Sequence, residues 1–81
     1  MKDFYEERSA LKGAAICKQA MGQHQDALDL LMKVVAINLD LGEIGSDADT
    51  YGRIADLHAE LGDMSEAAHW YDRCLEAINR T

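Results

Sequence analysis

In the stretch Tyr51-Gly-Arg-Ile-Ala-Asp-Leu-His-Ala-Glu-Leu-Gly-Asp-Met-Ser-Glu-Ala-Ala-His-Trp-Tyr-Asp-Arg-Cys-Leu-Glu-Ala-Ile78, the turn signal is Gly62. Asp63 follows it, with Glu66 three residues on. That is the spacing at which an N-cap carboxylate and an N3 side chain satisfy the exposed amides of a new helix. Residues 47–61 before the glycine and 64–79 after it are each long enough for an ordinary helix. Joined by so short a turn, the two should lie antiparallel as a hairpin. Ala55 and Ala67 are small where the helices would cross, and short side chains let helix axes approach to about 8 Å.

The same pattern recurs upstream. Shifting the chain by 40 residues lays Ala15 on Ala55, Gly22 on Gly62, Asp26 on Glu66, Ala27 on Ala67 and Lys33 on Arg73. A first hairpin is therefore expected from helices at 4–20 and 24–41, with Gly22, Gly42 and Gly62 each closing the helix before it in a left-handed conformation. Gly42 and Gly45 bound the connection between hairpins, and Ser46, with Asp47 and Asp49 behind it, should start the third helix. In the second helix Ala27, Leu28, Leu31, Val34, Val35 and Leu39 recur at three- and four-residue steps and should share one buried face. The chain contains no proline.

Tyr51, Ala55, Gly62, Ala67, Tyr71 and Cys74 stand where the tetratricopeptide repeat pattern has a large residue, a small one, the turn glycine, an alanine, an aromatic and a small residue. Leu11, Ala15, Gly22, Ala27, Leu31 and Val34 follow it more loosely, Val34 being larger than usual, and neither unit has the terminal proline. The chain thus resembles that family over nearly its whole length. The resemblance implies an all-α fold of two tandem antiparallel helix-turn-helix units, at about 4–41 and 47–79, forming a short right-handed α-solenoid within one domain, 1–81. The 40-residue step is similar to the extended repeats of spindle-orientation adaptors, kinesin light chains and bacterial peptide-sensing regulators, which bind peptides or protein helices. The run from Gly45 to Asp56, with Trp70-Tyr-Asp, is also similar to a regulatory repeat domain of plastid tetrapyrrole synthesis. That likeness implies a domain that binds and restrains an enzyme such as glutamyl-tRNA reductase.

Composition narrows the partner. The 81 residues carry a formal charge of −7. Residues 1–41 hold five Lys/Arg and six Asp/Glu, while 42–81 hold three and nine, so the halves carry −1 and −6. An acidic field repels phosphate backbones, and no basic stripe with interleaved aromatics is present, which argues against nucleic acid and for a neutral or basic protein partner. The apolar runs, such as residues 34–37, fall far short of the ~20 residues that span a bilayer, so no membrane insertion is expected. The N-terminus is acidic where a signal peptide has its apolar core, and reads as mature sequence or as a chain from which a targeting segment has been removed. Cys17 and Cys74 lack disulfide or zinc spacing and read as reduced, buried thiols, which suits a reducing compartment: the cytoplasm, or a plastid if the second likeness holds.

Nothing in the sequence asks for a metal, cofactor or catalytic group. His24, His58 and His69 form no HExxH or Cys/His pattern. The acidic run at 40–49 lacks the DxDxDG order of a calcium loop, and helix capping accounts for it. Neither cysteine has a flanking cation pair to activate a thiol. The chain is therefore read as a binding module and not an enzyme. In the family's architecture the first helix of each unit lines the concave groove. This implies a partner site made of Lys12, Gly13, Ile16 and Gln19, beside Ser9, and of Asp49, Gly52, Arg53, Asp56 and Glu60. Gly13 and Gly52 would leave room for a partner's backbone, or else serve helix packing. Ile16 and Asp56 stand where chaperone-binding repeats have clamp asparagines, so an acidic chaperone tail is not an expected ligand.

Two repeats are few for a solenoid, in which neighbours bury a continuous core. Leu75 and Ile78, with Trp70 and Tyr71 nearby, are candidates for an exposed apolar end face. A second copy of the chain, as a dimer or domain swap, is the competing occupant of that face.

Overall fold

The computed structural model describes residues 3–43 and 47–79, and within them four helices follow one another: α1 (Phe4–Ala20), α2 (His24–Asp40), α3 (Ala48–Glu60) and α4 (Met64–Asn79). α1 packs on α2 and α3 on α4, and α2 also lies against α3. The result is two hairpins in series, a flat slab of 39 × 30 × 15 Å.

Three of the helix starts are fixed by aspartates. Asp3 accepts from the amides of Tyr5 and Glu6 at 3.0 and 3.1 Å, and Asp63 accepts from Glu66 at 3.2 Å. The cap of α3 is Asp47, which accepts from the Thr50 amide at 3.3 Å and from the Thr50 hydroxyl at 2.8 Å. Ser46 and Gly45, on which the sequence placed that helix start and part of the preceding turn, lie outside the described residues.

The first three helices end alike. Gly22, Gly42 and Gly62 have φ of 75°, 71° and 84°. After each, the next amide reaches back five residues to a helical carbonyl: Gln23 to Lys18, Glu43 to Asn38 and Asp63 to His58, at 2.9, 2.8 and 2.8 Å. This closure satisfies carbonyls that the helix end would otherwise leave without partners.

Ala15, Ala27, Ala55 and Ala67 are all buried, as the close crossings require, and Leu31, Tyr51, Ile54 and Leu57 fill the space between them. Each such large side chain contributes about 1.5 to 3 kcal/mol by leaving water. Tyr51 and Trp70 meet with ring centroids 5.8 Å apart.

Three expectations are corrected. Leu39 is exposed and Asn38 is buried in its place. At 100° per residue, position 38 falls about 20° from Leu31 around the helix and position 39 about 80° from it. Trp70 is buried against Tyr51 and is not part of an exposed end face. Neither cysteine is buried: Cys17 is exposed and Cys74 half-buried. Cys17 lies two residues, about 200° of helix turn, from the buried Ala15.

Candidate functional site

Four of the expected groove residues line one cavity. From α3, Asp49, Gly52, Arg53 and Asp56 line an open groove of about 410 Å³, together with Ala48 and with Cys74 and Ile78 from α4. On α1, Gly13 and Ile16 are exposed and Gln19 is half-buried. Glu60, at the far end of α3, lies 3.9 Å from Nε2 of His24.

Within the groove the charges are already engaged. Arg53 Nε is 3.3 Å from Asp49 Oδ1, one helical turn away. The hydroxyl of Tyr71 donates to Asp56 at 2.5 Å, and that hydrogen bond raises the Tyr71 pKa above its ordinary value. Gly52 is a packing residue as well as a lining one, since a Cβ there would meet Cys74 Sγ at 3.4 Å. Gly13 faces open space.

Lys12 is engaged within the chain. Its Nζ pairs with Asp47 Oδ1 at 2.9 Å, and Asn38 Nδ2 donates to the other oxygen, also at 2.9 Å. Arg8 completes the cluster, donating to Asn38 Oδ1 at 2.8 Å and to Glu43 Oε2 at 3.0 Å. Burial by itself would raise the Asp47 pKa. The hydrogen bonds from Asn38, Lys12 and Thr50, with the charge of Lys12, outweigh it and hold the carboxyl below its ordinary value. This part-buried polar lock joins α1 and α2 of the first hairpin to the cap of α3.

Sequence reasoning missed Ala48, Cys74 and Ile78 in the groove, and the partners of Lys12. The signal for the lock was present: Asn38 is a polar residue at a core position of an otherwise apolar stripe, nine residues before the cap. Among the described residues no three His, Cys, Asp or Glu side chains gather as a metal site would require. His69 instead accepts from Arg73 Nε at 3.2 Å and edges onto Trp70. Among those residues no helix is long and apolar enough to cross a membrane.

Two stacked helical hairpins with glycine-closed turns and paired small residues at the crossings define a tetratricopeptide repeat domain. The model of that family matches residues 6–80, and the chain belongs to it. Over 78 residues it is 35% identical to Protein FLUORESCENT IN BLUE LIGHT, chloroplastic, of Arabidopsis thaliana. The match takes in 96% of this chain and 25% of that protein, so the chain spans about a quarter of the relative's length. No solved structure matches. Tetratricopeptide repeats are non-catalytic interaction modules, and membership implies a protein partner.

Proposed function

We propose that the chain acts as a scaffold or adaptor, and not as an enzyme, by holding a peptide or helix of another protein in the groove lined by α3. The observation that carries this is the open α3 groove, whose lining combines the apolar Ala48, Cys74 and Ile78 with the charged Asp49, Arg53 and Asp56. Such a mixture suits a polypeptide, whose side chains bring apolar and charged groups together. A photo-crosslinking residue placed at position 53 is expected to capture a partner from an extract of the source cell. A control at the exposed Asp29, on the outer side of α2, should capture none. Equal capture from both positions would remove the groove from consideration.

A second reading is favoured by the 35% identity across nearly all of this chain. The domain would then be the regulatory part of a plastid protein and would restrain an enzyme such as glutamyl-tRNA reductase by binding it. Titration calorimetry with the purified enzyme tests this, and an absence of binding heat at 100 µM would dismiss it.

A further inference from the structure

The way the first hairpin seats the second supplies a measure for the surface that follows. α3 lies against α2. Leu31 shares a core cluster with Tyr51 and Ile54, and Asn38 bonds to the α3 cap. On α2 the positions Leu31, Val34 and Asn38 are buried and Val35 half-buried. Forty residues on, the same positions of α4 are Tyr71, Cys74, Ile78 and Leu75. Tyr71, Leu75 and Ile78 are 39%, 58% and 53% exposed. An apolar strip that seats a helix on the first hairpin thus recurs, exposed, on the second.

We propose that the α3/α4 face formed by Gly52, Tyr71, Cys74, Leu75 and Ile78 seats one amphipathic helix of another protein, apolar on its inner side and basic along its edges. This rests on the interaction-module reading and specifies its partner. The shape comes from the internal comparison, because the equivalent strip of the first hairpin already holds a helix. The charge comes from the rim. Asp49 and Asp56 border the groove, Asp72 stands exposed one turn before Leu75, and Arg53 is paired with Asp49. The second half of the chain carries −6 of the net −7. Basic edges on the arriving helix complement that field.

A second copy of this chain suits the face poorly. At the 40-residue step Arg8, Lys12 and Asn38 become Ala48, Gly52 and Ile78, so the groups that receive the acidic cap of α3 have no counterpart. The residue of α1 at the step of Asp47 is Glu7, with Glu6 beside it. A docked α1 would bring those carboxylates to an acidic rim that offers neither an amide nor a lysine to receive them.

Two synthetic helices of about four turns test the proposal. Both carry tyrosine, isoleucine and leucine at the spacing of Tyr51, Ile54 and Leu57, one with lysines along its edges and the other with glutamates. By fluorescence anisotropy the lysine helix should bind about tenfold more tightly, with the preference narrowing as salt rises. Leu75→Gln with Ile78→Gln, both exposed positions, should weaken it about tenfold while the helical circular dichroism stays unchanged. Ile16→Gln on α1 should leave it unaltered. Equal affinity for the two helices overturns the basic chemistry. Sensitivity to Ile16→Gln alone overturns the location and keeps the interaction module. If neither helix binds while crosslinking at position 53 still captures a partner, the helix seat fails on its own; if both fail, so does the reading beneath it. A dimer in sedimentation velocity that the Leu75/Ile78 variant dissolves assigns the face to a second copy and overturns the proposed occupant.

Discussion

Asn38, wholly buried on α2, donates its amide hydrogen to the Asp47 carboxylate at 2.9 Å. The acid that starts α3 is therefore also the acid that fastens the second hairpin to the first. Replacing Asn38 by leucine keeps the size and removes the amide. Arg8 and Asp47 would then each lose a hydrogen-bond partner, at a cost of about 2 to 3 kcal/mol. Urea unfolding monitored by circular dichroism checks this, and a midpoint within error of the parent would mean the lock contributes nothing.

Acid should undo part of the same junction. Asp47 is held below its ordinary pKa of 3.8, so near and below that pH the folded state binds fewer protons than the unfolded one. The stability this supplies is complete above pH 3.8, falls as the pH drops through that value, and is gone beneath the lowered one. Asp47→Asn should cost about 1 to 3 kcal/mol at pH 7 and visibly less at pH 2. A gap of the same size at both pH values would trace the loss to something other than the charge.

Two glycines should respond in opposite directions. Gly62 closes α3 at φ of 84°, where a side chain is strained, and Gly62→Ala should cost about 1 to 2 kcal/mol. Gly13 lies within α1 with nothing within 4 Å of an added Cβ, so Gly13→Ala should stabilise by about 0.5 to 1 kcal/mol. Melting temperatures of the two variants, expected on either side of the parent, decide the matter.

The hairpin crossing offers a sterner check of register. Ala67 is 1% exposed. Ala67→Leu should overpack the α3/α4 contact and cost about 1 to 3 kcal/mol. An unchanged melting curve would contradict the crossing described above.

Peptides ending in the acidic tail of a chaperone should not bind. Lys12 is committed to Asp47, and Asp56 on the groove rim repels a carboxylate. Calorimetry with such a peptide should show no heat in the micromolar range. Binding that Lys12→Ala abolished would show the lysine to be free for ligands after all.

The helices, their turns and the small crossing residues could be read from the sequence because each rests on local chemistry. Gly62 followed by Asp63 marks an end and a start without reference to the rest of the chain. The site was less legible because its parts are set by contacts between hairpins. The pairing of Lys12 with Asp47, 35 residues away, is a contact between hairpins that no local spacing announces. Ile78 reads from the sequence as part of an end face, and only the approach of α4 to Gly52 and Arg53 makes it a groove residue as well. Leu39 was misplaced for a simpler reason: a stripe read at three- and four-residue steps drifts around the helix, and by its last turn the drift had exchanged Leu39 for Asn38.

Because Arg8, Lys12 and Asn38 have no counterparts at Ala48, Gly52 and Ile78, the two hairpins cannot trade places without losing that lock. A chain with the hairpins transposed would own the same four helices and an apolar seat on α4, but would lack the polar groups that receive the cap of α3. The order of the hairpins is thus written into a handful of side chains at their junction, much as a keyed plug admits its socket one way round.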